Sequence, residues 1–153
     1  METKRYRLKT VTFNVSEPAG ALCGDPDALV PVFAEIFANL DQDREHVVVL
    51  ALNNKNRAIG YKVSHTGGAN ASNFEPRIIF RDALALGAVN IAISHNHPSG
   101  DSFPSANDKA ATEGLVQAGE VVGIRVLDHI VYGTGTGSWY SFYRNGQISW
   151  GNK

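Results

Sequence analysis

Leu29, Phe33, Ile36 and Leu40 recur at helical spacing, with Val30 and Phe37 beside them, which predicts an amphipathic helix over about residues 27–40. Pro31 fits only the first turn of a regular helix, so this helix either begins close to it or is kinked there. Residues 45–52, Glu-His-Val-Val-Val-Leu-Ala-Leu, show the other apolar pattern, the near-continuous run of a strand buried on both faces. Asn53-Asn54-Lys55-Asn56 reads as a turn and residues 57–66 as the return strand of a hairpin. Residues 76–87 read as a second helix, opened by Pro76 and stopped by Gly87. Asn90-Ile91-Ala92-Ile93 is a further strand, broken by Pro98-Ser99-Gly100, and a helix opens at about Pro104 and runs through Ala118 with Leu115 and Val116 inward.

Residues 121–132 alternate as a long central strand, and 133–137 form a glycine-rich loop. Residues 139–144 and 147–150 flank Asn145-Gly146, the signal of a type I′ hairpin. At the other end, residues 4–15 carry four basic side chains and then alternate loosely, as an edge strand does, with loop over 17–26. Four cations on one short segment are a small footprint for nucleic acid. Residues 65–73, rich in glycine and asparagine, form a connection that suits a flap over a peptide substrate, and they match no phosphate-cradling motif.

With 153 residues, 43% of them hydrophobic, the chain is sized for one core, so a single domain over 1–153 is expected. Its core covers about 26–144, with a strand extension over 1–25 and a hairpin over 138–153. A net charge of −1 supplies no general attraction to phosphate or anionic membranes. No apolar run reaches bilayer-spanning length. One cysteine makes no disulfide framework, and Met1-Glu2-Thr3-Lys4 leads into no signal-type hydrophobic segment, so a cytoplasmic protein is expected.

The chemistry concentrates in Ser94–Asp108. His95 and His97 are two residues apart on a strand, which puts both imidazoles on one face. The turn and helix start that follow can return Asp108 to them. Two imidazoles and one carboxylate are the ligand count of a catalytic zinc, which keeps a fourth position for water. The competing structural reading is that Ser105 and Asp108 form a capping box, which accounts for the helix start but not for the paired histidines.

His95-x-His97, seven residues, Ser105, two residues and Asp108 resemble the JAMM (MPN-plus, JAB) metalloprotease signature. The fuller stretch H-N-H-P-S-G-x-x-x-P-S-x-x-D, with Leu127-Asp128-His129-Ile130 after it, resembles the RadC branch. The resemblance runs from about Glu45 to Phe142. It implies an α/β fold, a three-layer, cytidine-deaminase-like α/β/α arrangement with a mixed sheet. It also implies Zn2+ on His95, His97 and Asp108, and Glu45 as general acid and base, ahead of Glu35 and Glu75. Ser105, three residues before a ligand at a helix N-terminus, is the candidate oxyanion donor.

The expected reaction is hydrolysis of a peptide or isopeptide bond in a protein substrate, with weak or no direct DNA binding and no membrane. Members of the RadC branch tend to carry Pro-Arg-Glu where this chain has Pro76-Arg77-Ile78, which removes an acid there. A zinc deaminase of similar fold would need His-x-Glu and Pro-Cys-x-x-Cys, which a single cysteine excludes. The remaining alternatives are a non-catalytic interaction domain and a DNA-repair module. Asp128-His129 reads either as a pair that orients a metal ligand or as a hydrogen-bonded strand-end pair.

Overall fold

The structure, a computed structural model, describes residues 23–67 and 74–149. Its elements are helix α1 (Pro26–Ala38), strands β1 (Glu45–Leu52) and β2 (Ala58–Gly67), helix α2 (Pro76–Ala85), strand β3 (Asn90–His97), helix α3 (Ala106–Val122), and strands β4 (Arg125–Gly133) and β5 (Trp139–Ser141). The sheet order is β2-β1-β3-β4-β5. β3 and β4 are parallel, joined by the α3 crossover, and the other neighbours are antiparallel. The expected α/β fold with a mixed sheet and flanking helices is what the chain forms.

The alternation of side chains across β1 and β3 builds the two apolar layers. Val47, Val49, Ile91 and Ile93 face one side, where α2 and α3 cover them with Ile79, Phe80, Ala83 and Leu115. Val48, Leu50, Leu52 and Ala92 face the other, against Leu29, Val32, Phe33, Ile36 and Phe37 of α1. Every residue of β1 is buried, as its unbroken apolar run requires.

Pro31 lies inside α1, so of the two alternatives the helix does not begin at it; the first-turn proline is Pro26, preceded by an Asp25 cap that accepts from Asp27 N–H. Three sequence expectations are corrected. Val121 and Val122 end α3 instead of opening a strand, because Gly123 adopts the left-handed φ of 81° that closes a helix, and β4 starts at Arg125. β4 is also not the central strand; β3 is. The aromatic C-terminal hairpin is replaced by a short β5 and a turn. Gly146 has a positive φ but Asn145 does not, so the type I′ geometry is absent; Asn145 Nδ2 donates instead to Ser141 C=O at 2.8 Å. The edge strand expected over 4–15, most of the proposed flap over 65–73, and the hairpin's end at Trp150 lie outside the described residues. No described helix is long and apolar enough to cross a membrane.

Candidate metal centre

β3 ends in the site. His95 and His97 project from one face of the strand, and their Nε2 atoms lie 3.0 Å apart. Gly100, at φ 86°, turns the chain after β3, and Ser105 restarts it as the N-cap of α3. The capping box is complete: Asp108 N–H donates to Ser105 Oγ at 3.0 Å, and Ser105 N–H donates to Asp108 Oδ2 at 2.9 Å. The same carboxylate approaches the rings, with Oδ1 3.4 Å from His95 Nε2 and Oδ2 3.4 Å from His97 Nε2. Capping and convergence therefore coexist, because a box that pulls the acid back over the helix start also aims it at the end of β3.

The three residues form the group of possible metal ligands among the described residues, one ligand atom from each lying within 4.8 Å of the others. Ligands about 2.05 Å from a tetrahedral zinc are about 3.3 Å apart, close to the separations found. Two imidazole nitrogens and a carboxylate oxygen, without the many oxygens calcium or magnesium takes, suit a first-row divalent ion such as zinc or iron.

Polarity supports the same reading. His97 Nδ1 lies 2.7 Å from Asp101 C=O, which can only accept, so the proton of the neutral ring is on Nδ1 and the Nε2 lone pair faces His95 and Asp108. Acceptors gathered this way repel one another unless a cation lies among them. The Asp108 carboxylate raises the His97 pKa against the opposing effect of burial, helped by Asp101 C=O and the Glu45 charge. Burial works against Asp108 ionisation, but the His95 and His97 rings and the Ser105 amide hold its carboxyl far below the usual range.

Glu45 opens β1 and is buried, 5% exposed. It lies two residues before Val47, which pairs with His95, so strand alternation puts it on the same face as both histidines. Its charge reaches His97. The two other acids considered lie elsewhere: Glu35 is exposed on α1, across the sheet, and Glu75 is paired to Arg77 at 2.9 Å beside α2.

Asp128 and His129 part company. Asp128 accepts from Ser141 Oγ at 2.6 Å and from the Tyr143 and His129 amides at 3.0 and 2.7 Å, tying β5 and the turn after it to β4. His129 turns the other way and meets His95, Nε2 to Nδ1, at 2.7 Å. Burial, with repulsion from the His95 and His97 rings, lowers its pKa well below normal, so the ring is neutral. The register of β4 slips between its pairings Ile91–Val126 and Ala92–Asp128. Simple alternation from Val126 would send His129 to the α1 face; the bulge returns it to the histidine face.

A family model for the RadC-like JAB domain matches residues 23–147. Curated relatives carrying the name UPF0758 protein include one from Methanosarcina acetivorans, 38% identical over 130 residues, which are 84% of this chain and 54% of the relative. The one from Symbiobacterium thermophilum is 40% identical over 128 residues, 84% of this chain and 53% of the relative. That from Desulforudis audaxviator is 46% identical over 91 residues, 60% of this chain and 40% of the relative. The chain spans about half the length of the curated relatives it matches. From its matched span, its mixed sheet and its histidine and aspartate cluster, the chain belongs to the family of RadC-like JAB domains.

Proposed function

We propose that the chain is a zinc-dependent hydrolase of peptide or isopeptide amide bonds in proteins. The observation that carries this reading is the convergence of His95 Nε2, His97 Nε2 and an Asp108 carboxylate oxygen at separations a tetrahedral ion requires. Zinc held there supplies a water acidified to a pKa of about 7 and a Lewis acid for the substrate carbonyl. Glu45, buried on the same face, takes the proton released as the water oxygen bonds to the carbonyl carbon. It passes that proton to the nitrogen as the carbon–nitrogen bond breaks, leaving a carboxylic acid and an amine. Ser105 keeps its Oγ lone pair on Asp108 N–H, which leaves the hydroxyl proton to donate to the developing oxyanion at the start of α3.

Elemental analysis of purified protein tests the metal directly: about one zinc per chain is expected in the wild type and none in His95→Ala. Glu45→Gln should retain zinc and lose about 10²- to 10⁴-fold in cleavage of a mixed peptide and isopeptide library. Zinc-loaded wild type that cuts neither bond type overturns the hydrolase and leaves an interaction module.

A further inference from the structure

Behind His95 runs a chain of buried groups that the reaction above does not use. His95 Nδ1 is 2.7 Å from His129 Nε2, and His129 Nδ1 is 2.6 Å from Thr112 Oγ1. Thr112 Oγ1 donates to the backbone C=O of Asp108 at 2.7 Å. Asp108 thus appears at both ends: its carboxylate faces the imidazoles from the front, and its carbonyl anchors the chain behind them.

The direction of the chain follows from that anchor. A backbone carbonyl only accepts, so the single Thr112 hydroxyl proton is committed to Asp108 C=O. Toward His129 the Thr112 oxygen can then only accept, which puts the His129 proton on Nδ1. The neutral His129 ring has a bare Nε2, and this accepts from His95 Nδ1–H. His95, protonated on Nδ1, is left with its lone pair on Nε2, the atom that faces His97 and Asp108.

We propose that His129 and Thr112 are positioning residues that fix His95 in the tautomer whose Nε2 lone pair points at the metal position. The proposal rests on the metal reading above and extends it to two residues that do not touch the ion. Ring rotation is already restricted: Phe142 stacks on His129 at 5.0 Å and 14°, and Phe74 meets His95 edge-on at 5.0 Å. The tautomer is the remaining freedom. In a Thr112→Val variant the buried His129 Nδ1–H loses its acceptor. The N–H regains an acceptor when the proton moves to Nε2 and donates to His95 Nδ1. His95 must then carry its own proton on Nε2, where it blocks the ligand atom.

The test reads tautomers in metal-free protein and zinc affinity separately. Imidazole nitrogen NMR of metal-free wild type, at a pH of ~8 or more, above the ordinary imidazole range, should show Nδ1–H with bare Nε2 for both His95 and His129. Thr112→Val should reverse both and weaken zinc binding, measured by chelator competition, by about 10- to 100-fold. Thr112→Ser, which keeps the hydroxyl, should restore both. A wild-type His95 protonated on Nε2, or a folded Thr112→Val with wild-type tautomers and zinc affinity, overturns the proposal. The wild-type spectrum decides the order of the chain even if the valine variant fails to fold. Wild type that takes up no zinc refutes the metal reading alone, and the imidazole spectra still judge the relay.

Discussion

Asp82 and Asp108 are both buried acids on the α2–α3 side of the sheet, 1% and 7% exposed, and they are satisfied in opposite ways. Asp82 accepts from Lys62 Nζ and Arg81 Nε at 3.0 Å each and from Ser64 Oγ at 2.7 Å. Each of these donors brings its own proton, and two bring a permanent charge. Asp108 faces two imidazole nitrogens at 3.4 Å, one of which must be a bare acceptor when its ring is neutral because Asp101 C=O holds the proton on the far side. Burial raises both acids and both nonetheless end below the ordinary carboxylate value, so a lowered pKa does not separate a strut from a site. The kind of partner does. A cluster complete in donors is closed, whereas converging acceptors leave room for a cation.

The largest expected difference between the two acids is their response to zinc. At free zinc about 1,000-fold above Kd, wild type should gain about 4 kcal/mol, or about 10 °C in Tm for a chain of this size. Asp82→Asn should keep that gain in full and Asp108→Asn should lose it. Differential scanning calorimetry with and without zinc reads both. An equal gain in Asp108→Asn would place the ion elsewhere and break the contrast.

Asp128 sharpens the comparison, since it is 2% exposed and its hydrogen bonds come from Ser141 and backbone amides. Burial pushes its pKa up to about 6, only partly offset by those bonds and the Arg144 charge. A folded-state pKa above the unfolded 3.8 means that the fold binds the proton more tightly, so this contribution is present below 3.8 and is lost as pH rises through about 6. The span corresponds to at most ~3 kcal/mol. The stability of wild type minus that of Asp128→Asn, from urea titrations at several pH values, should therefore fall across that interval. A difference that grows with pH would mean that the hydrogen bonds outweigh burial.

What the sequence shows of this molecule depends on how local each determinant is. Period-two alternation is enough to put His95 and His97 on one face, a property of a single strand, whereas Glu45 is legible only through the family resemblance, because its place on that face depends on the pairing of Val47 with His95 across β1 and β3. The turn through Gly100 and the Ser105 cap are written in adjacent residues. His129 is harder to read, because its face depends on a bulge in β4 that shows only in pairing with β3. Thr112 is one polar residue on an otherwise ordinary helix. Its one available signal is that Asp108, Thr112, Leu115 and Gly119 follow the spacing of one buried helix face. The aromatic C-terminus misleads for a related reason: Ser141, Tyr143 and Arg144 are held by side-chain and turn hydrogen bonds to Asp128 and Ser141, which outcompete a second strand.

The smallest effect tests the closed half of the comparison. Asp82→Asn removes the charge that three donors share, but Lys62 and Arg81 are 29% and 51% exposed and can turn to water once released. The loss at neutral pH should therefore be about 1–2 kcal/mol, below what stranding a fully buried charge would cost. Because the Asp82 pKa is lowered in the fold, its contribution is present above 3.8 and disappears as pH falls through the lower folded value. The cost of the substitution, followed by urea unfolding, should accordingly shrink toward zero in acid. A cost that persisted at low pH would assign Asp82 to shape and packing, and its likeness to Asp108 would then lie in burial alone.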